Sequence, residues 1–88
     1  MSSDPAPPSE TARPTPYSIL EAGGEAVGIL LAAIGQSIED LIPGQVLEVV
    51  SSQPLAGEAV RGWCQATGHE LIGLVAGFEG EQFWIRKR

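Results

Sequence analysis

Apolar side chains return at helical spacing between residues 25 and 42 of the chain. Val27, Leu31, Ile34, Ile38 and Leu41 are separated by four and three residues, so they share one helix face, and Leu30 and Ala33 widen the stripe. Pro43-Gly44 predicts the stop, because a proline disfavours helical geometry at Ile42 and a glycine can turn the chain. Ahead of this helix, Tyr17-Ser18-Ile19-Leu20 is a short β-prone run closed by Glu21-Ala22-Gly23-Gly24. Behind it, Gln45 to Ser51 (QVLEVVS) is a β-branched run of strand length. Leu47 and Val49 share one of its faces; Val46, Glu48 and Val50 share the other, which is mixed in polarity.

Ser51-Ser52-Gln53-Pro54 reads as a loop, with Pro54 in a position tolerated just ahead of a helix. In that second helix Ala56, Ala59, Val60 and Trp63 make a narrow stripe, Cys64 stands one position off it, and Gly68 suits the C-terminal cap. Gly57 and Gly62 each lower intrinsic helix stability by up to about 1 kcal/mol relative to alanine, so packing must hold this segment. The end of the chain predicts a hairpin: Glu70 to Phe78, a turn at Glu79-Gly80-Glu81, and a return strand from Gln82 to Lys87. Phe83 and Ile85 point one way along it, Trp84 and Arg86 the other. The resulting order, β-α-β-α-β-β, is an α+β arrangement. Right-handed crossovers place both helices on one face of a single sheet.

Composition divides the chain once. Residues Met1 to Pro16 hold five of the seven prolines and no apolar run. Such a segment cannot bury enough apolar area to offset the entropy of ordering, and it predicts a disordered or polyproline-like tail over residues 1–16 ahead of a folded unit over 17–88. Pro5 to Pro8 could dock on a partner; a solubilising tail is the plainer reading. The tail lacks the apolar centre of a secretory signal, and the longest apolar stretch, Val27 to Ile34, is far shorter than the roughly 20 residues of a membrane span. With 88 residues there is room for one domain.

A net charge of −6 argues against nonspecific nucleic-acid or anionic-membrane binding, and the basic cluster at Phe83 to Arg88 is too small to reverse it. One cysteine and one histidine exclude a disulfide framework and leave a metal site short of ligands. The expectation is a cytoplasmic protein with a free thiol, holding neither metal nor cofactor.

Catalytic chemistry is sparse. Ala22-Gly23-Gly24-Glu25 has neither the glycine spacing nor the lysine of a phosphate loop. No nucleophile–base–orienter set can be assembled, so an enzyme is not expected. Glu39 and Asp40, adjacent near a helix end, read as solvated surface. Cys64 and His69 remain. A helix-interior cysteine beside an apolar stripe reads as a small core residue, the alternative being a sulfur acceptor. His69 reads as a hydrogen-bonding residue at a strand entry.

Three blocks carry a family resemblance: Pro43-Gly44-Gln45-Val46-Leu47-Glu48-Val49, Trp63-Cys64-Gln65-Ala66-Thr67-Gly68-His69-Glu70-Leu71, and Phe83-Trp84-Ile85-Arg86-Lys87. In residues, order and spacing the chain resembles the TusA/SirA-like sulfur-carrier family from Ile19 to Lys87. Thr67 to Leu71 is the more specific part. The resemblance implies a two-layer α/β sandwich with a four-stranded mixed sheet in the order 1-2-4-3, strand 4 running antiparallel to the others.

Carriers of this family have a Leu-Asp-x-x-Gly-x-x-Cys-Pro-x-Pro run between the first strand and first helix. Counted back from Pro43-Gly44, that run falls on Leu20 to Leu30. Leu20, Glu21 and Gly24 fit it, whereas Val27 stands in the cysteine slot and Gly28 and Leu30 in the proline slots. A thiol there would face unpaired helix-terminal N–H groups, which stabilise a thiolate or persulfide. Valine can neither ionise nor accept sulfur, and at four-three spacing it also reads simply as a core residue.

The resemblance therefore implies a sulfur-carrier relative without its carrier cysteine, acting as a protein-binding or regulatory module related to sulfur transfer. A working carrier that accepts persulfide on Cys64 is the alternative; an accessory subunit with a partner unrelated to sulfur is a third reading. The expected partner-binding residues are Glu21, Gly24, Glu25, Val27 and Gly28, where the family presents its thiol. The glycines Gly23, Gly24 and Gly28 suggest a supple turn there.

Overall fold

The computed structural model describes residues 14–77 and 80–88. Most of the proline-rich segment (1–13) and Phe78-Glu79 lie outside them. The elements follow the expected order: β1 (Ser18–Glu21), α1 (Val27–Glu39), β2 (Val46–Ser51), α2 (Ala56–Thr67), β3 (Glu70–Gly77) and β4 (Gly80–Arg86). They build one four-stranded sheet in the order β1-β2-β4-β3. β1 runs parallel to β2, and β4 is antiparallel to both β2 and β3. This is the mixed α+β sandwich that the resemblance implies.

Burial of one sheet face against both helices supplies the core. Leu47 and Val49 of β2 and Phe83 and Ile85 of β4 pack with Leu30, Ile34 and Ile38 of α1 and with Ala56, Val60 and Cys64 of α2. Each of the leucine, isoleucine, valine and phenylalanine side chains among them contributes on the order of 1.5–3 kcal/mol when fully withdrawn from water. In a domain this small, few such residues are available, so the loss of any one is felt.

The helix faces are rotated slightly from the sequence reading. In α1 the buried line is Leu30, Ile34 and Ile38, continued past the helix by Leu41, while Val27 and Leu31 flank it. In α2 the line is Ala56, Val60 and Cys64, each four residues from the last, with Ala59 and Trp63 beside it. Cys64 thus occupies the core line itself rather than a position off the stripe.

The stop of α1 also has a different cause. The helix ends at Glu39, ahead of Pro43. Its last turn tightens, with Asp40 N–H donating to the Ser37 carbonyl and Leu41 N–H to that of Ile38. Lys87 then reaches across from the end of β4, its Nζ donating to the carbonyls of Leu41 at 2.6 Å and Glu39 at 3.4 Å. A cation on these otherwise unpaired carbonyls opposes the negative end of the helix. Gly44, at φ +94°, turns the chain into β2.

Gly80 and Glu81, expected in the hairpin turn, lie instead in β4, opposite Gly77 and Ala76. On the sheet face without helices, Trp84 is only 2% exposed. Its Nε1 donates to Glu48 Oε1 at 3.1 Å, and Gln82 Nε2 donates to Glu48 Oε2. A register shift between Leu71 and Gly73 sets Gly73 opposite the indole, and a Cβ on Gly73 would stand 3.0 Å from Trp84 Cε3. The Glu48 face of β2 is therefore covered in part by an aromatic ring that needs a glycine beneath it.

Candidate functional site

The parallel strands β1 and β2 end together, and each leads through a loop into a helix. The turn between β1 and α1 runs from Ala22 to Ala26 and contains Gly24 and Glu25, two of the residues singled out for partner binding. It is fastened to the loop after β2. Ala22 N–H donates to the Val50 carbonyl at 2.7 Å, and the Gly23 carbonyl accepts from both Ser52 N–H and Ser51 Oγ at 3.2 Å. Gln53 Nε2 reaches the Glu25 carbonyl at 2.7 Å and the Gly24 carbonyl at 3.5 Å. Three consecutive carbonyls of the turn are thus occupied, and the glycine-rich segment is held rather than supple.

The holding side chains are themselves held. Ser51 is 1% exposed, and its Oγ accepts from Gln53 N–H at 3.1 Å while donating to Gly23. Gln53 Oε1 accepts from Leu55 N–H, and the Gln53 carbonyl from Ala56 N–H. These two residues position the turn, although in the sequence Gln53 falls in a plain loop and Ser51 where the second strand meets it. The only sign was a polar Ser-Ser-Gln run ahead of a proline, a pattern that commonly folds side chains back on the backbone.

The two helix starts at this end differ. At α2, Glu81 Oε1 accepts from Gly57 N–H at 3.1 Å, so a carboxylate from β4 neutralises the positive end of the helix. At α1, the residue before the helix is Ala26, no side chain caps it, and its first turn has no acidic residue. Val27 is the first residue of α1 and half-buried; Gly28 and Ile29 follow it, both exposed, Ile29 at 61%. Glu21, Gly24 and Glu25 are also exposed. Glu21 ends β1, Gly24 and Glu25 lie in the turn, and Val27 and Gly28 open the helix. The residues named from sequence thus occupy one strand end, the following turn and one helix start. A Cβ on Gly28 would meet nothing within 4 Å, and one on Gly24 would stand 3.4 Å from Ser52 Oγ.

Cys64 is far from thiolate chemistry. It is buried, and desolvation pushes its thiol from 9.0 up to about 11. His69 is partly buried between α2 and the C-terminal residues. Its Nδ1 accepts from Arg88 N–H at 3.1 Å, and its ring lies 5.4 Å from that of Trp63. Burial, then the nearby charges of Lys87 and Arg88, hold it below its ordinary value. That is the hydrogen-bonding role read for it from sequence. Among the described residues, no group of three or more His, Cys, Asp or Glu side chains is arranged to hold a metal ion, and no helix is long and apolar enough to cross a membrane.

No family model matches the chain. Curated relatives do. The sulfur carrier protein TusA of Pseudomonas putida is 28% identical over 74 residues, covering 84% of this chain and 92% of its own. The protein of the same name from Pseudomonas syringae pv. tomato is 28% identical over 71 residues, covering 81% and 84%. That from Pseudomonas aeruginosa is 28% identical over 71 residues, covering 81% and 90%. Along most of both chains, this protein is thus similar to TusA sulfur carriers.

Proposed function

We propose that this chain is a protein-binding or regulatory module related to sulfur transfer that has lost the carrier thiol of its relatives. The observation that carries this reading is the pair of positions held by Val27 and Cys64. Val27 opens α1, where the family pattern would put its cysteine, and the chain's one cysteine lies instead on the buried line of α2. The docking surface is the end formed by Glu21, Gly24, Glu25, Val27 and Gly28, presented to a protein partner of a sulfur-transfer pathway. A carrier needs a mobile or exposed thiol of lowered pKa, whereas Cys64 is buried with its pKa raised, which weighs against Cys64 as a substitute.

Intact-mass measurement after incubation with a cysteine desulfurase and free cysteine tests the proposal. No mass gain of one sulfur atom is expected on either the native chain or Cys64→Ser. A gain on the native chain that disappears in Cys64→Ser would overturn the proposal and make Cys64 the acceptor.

A further inference from the structure

The two helices present different faces to solvent. Along α2 the exposed positions include Glu58, Arg61, Gln65 and Thr67, as on an ordinary solvated helix. α1 carries no polar side chain from Val27 to Gly35, and Gln36 is its first. Leu30 and Ile34 take one side of that run into the core, yet Gly28, Ile29 and Ala32 are exposed. Gly28 and Ala32 stand one turn apart with Ile29 beside them, so the three share the outward face. Neither a glycine nor an alanine can shield the isoleucine, which is 61% exposed. A helix that is apolar all round is ordinarily covered on every side. Among the described residues, nothing covers this side of α1.

We infer that the outward face of α1 is a contact surface for a protein partner whose matching patch is apolar and flanked by lysine or arginine. The inference rests on the protein-binding reading above and adds the chemistry that the partner must present. Charge selects this occupant. Exposed carboxylates frame the apolar run, Glu21 and Glu25 before it and Glu39 and Asp40 after it, and no basic residue lies between Glu21 and Asp40. Lys87 reaches the far end of α1, but its Nζ is held by the carbonyls of Leu41 and Glu39. A second copy of the chain would set the same carboxylates against these. An anionic bilayer or a nucleic acid would be repelled likewise. A basic-rimmed protein surface is attracted at both ends of the run while it buries Ile29 between them.

The shape of the face suits close approach. Gly28 and Ala32 let another backbone come near, and a Cβ on Gly28 would meet nothing within 4 Å. Ile29 is the anchor beside them. The face continues directly from Val27 and Gly28 of the docking end, so one partner can cover both. Because the rim is charged and exposed, added salt weakens the contact by screening. A purely apolar contact would not respond in that direction.

Matched helical peptides test this with the full-length chain, each with one flank-to-flank apolar face. The first has a leucine face flanked by lysines, the second the same face flanked by glutamates, and the third lysine flanks with serines in place of the leucines. Amide chemical shifts of the isotope-labelled chain report both affinity and position. The lysine–leucine peptide is expected to bind, with its largest shifts at Gly28, Ile29 and Ala32, and more weakly as salt is added. The other two peptides are expected to bind at least about tenfold more weakly. Ile29→Ser is expected to weaken the first peptide about tenfold. Ile19→Ser, at a similarly exposed isoleucine of β1, leaves it unchanged, and circular dichroism checks that both variants fold. Shifts centred elsewhere, equal binding of the lysine and glutamate peptides, or indifference to Ile29→Ser would overturn the inference, as would no binding at all. None of these outcomes bears on the sulfur-transfer reading, which stands or falls on the mass measurement with the desulfurase.

Discussion

Gln53 Nε2 lies 2.7 Å from the Glu25 carbonyl, and this contact ties the loop that opens α2 to the turn that opens α1. The two residues are 28 positions apart in sequence, yet their helices start at the same end of the sheet because β1 and β2 are parallel. Gln53 can serve both sides because an amide carries donors and an acceptor at once: Nε2 holds the turn, Oε1 holds Leu55 N–H. Ser51, buried beneath, sets the height of the loop.

Gln53→Ala is therefore expected to cost about 1–2 kcal/mol of folding stability, the sum of a few partly exposed hydrogen bonds. Gln53→Glu keeps the length but loses the donors and sets a carboxylate against backbone carbonyls. It is expected to be at least as damaging. Urea denaturation gives the stability change. Exchange rates of the Ser52 and Ala22 amides, which rest on the same turn, show whether the damage is local. Unchanged rates at both positions would mean that Gln53 does not position the turn.

Gly28 separates folding from binding. It lies within α1, exposed, with open space where a Cβ would go. Gly28→Ala is expected to stabilise the chain by roughly 0.5–1 kcal/mol, because alanine loses less backbone freedom in a helix. Gly28→Arg should fold about as well as the native chain, because the helix propensity gained over glycine offsets a cation in the first turn, but project a long side chain from the start of α1. If that end meets the partner, the variant is stable and fails to bind in a pull-down with sulfur-transfer proteins. Binding at native strength would move the docking surface elsewhere.

The elements, their order and the helix-bearing face were legible in sequence because each rests on local periodicity. Phe83 and Ile85 alternate with Trp84 as a strand requires, and Gly68 caps α2 at φ +88° as a terminal glycine does. What escaped depends on contacts between distant segments. Lys87 terminates α1 from 46 residues beyond Leu41, Glu81 caps α2 from 24 residues beyond Gly57, and Gln53 braces a turn 28 residues before it. No window of local sequence contains both partners of any of these bonds. The placement of Cys64 was missed for a subtler reason. Trp63 is large and draws the apolar stripe toward itself in a sequence reading, whereas the sheet surface has room for the smaller cysteine, and the tryptophan settles at the margin beside His69.

Cys64 should behave as a protected core residue. With its thiol raised from 9.0 to about 11, the thiolate fraction near neutral pH falls roughly a hundredfold, and burial blocks access as well. Alkylation of the native chain at mildly alkaline pH is expected to be slower than that of a free thiol by at least that factor, and to become fast in denaturant. The raised value also sets a pH dependence. Between 9.0 and about 11 the unfolded thiol releases its proton while the folded one keeps it, so the stability contributed by this group is lost as pH rises through that window. Rapid alkylation under native conditions, with the fold retained, would contradict the burial.

His69 should act in the opposite direction, at mildly acidic pH. Its folded value is lowered from 6.5 by burial and by the charges of Lys87 and Arg88, and its Nδ1 accepts a hydrogen bond that only the neutral ring can accept. The unfolded chain therefore binds a proton at a pH where the folded chain still resists one, so stability rises with pH through that interval. The contribution is fully present above 6.5 and is lost as pH falls through the folded value. His69→Gln retains a polar side chain without the titration. The difference in unfolding free energy between the native chain and His69→Gln is thus expected to shrink as pH falls from about 7 toward 5, ahead of the protonation of ordinary carboxylates. A difference that stays flat across that range would mean that the Arg88 contact does not depend on the neutral ring.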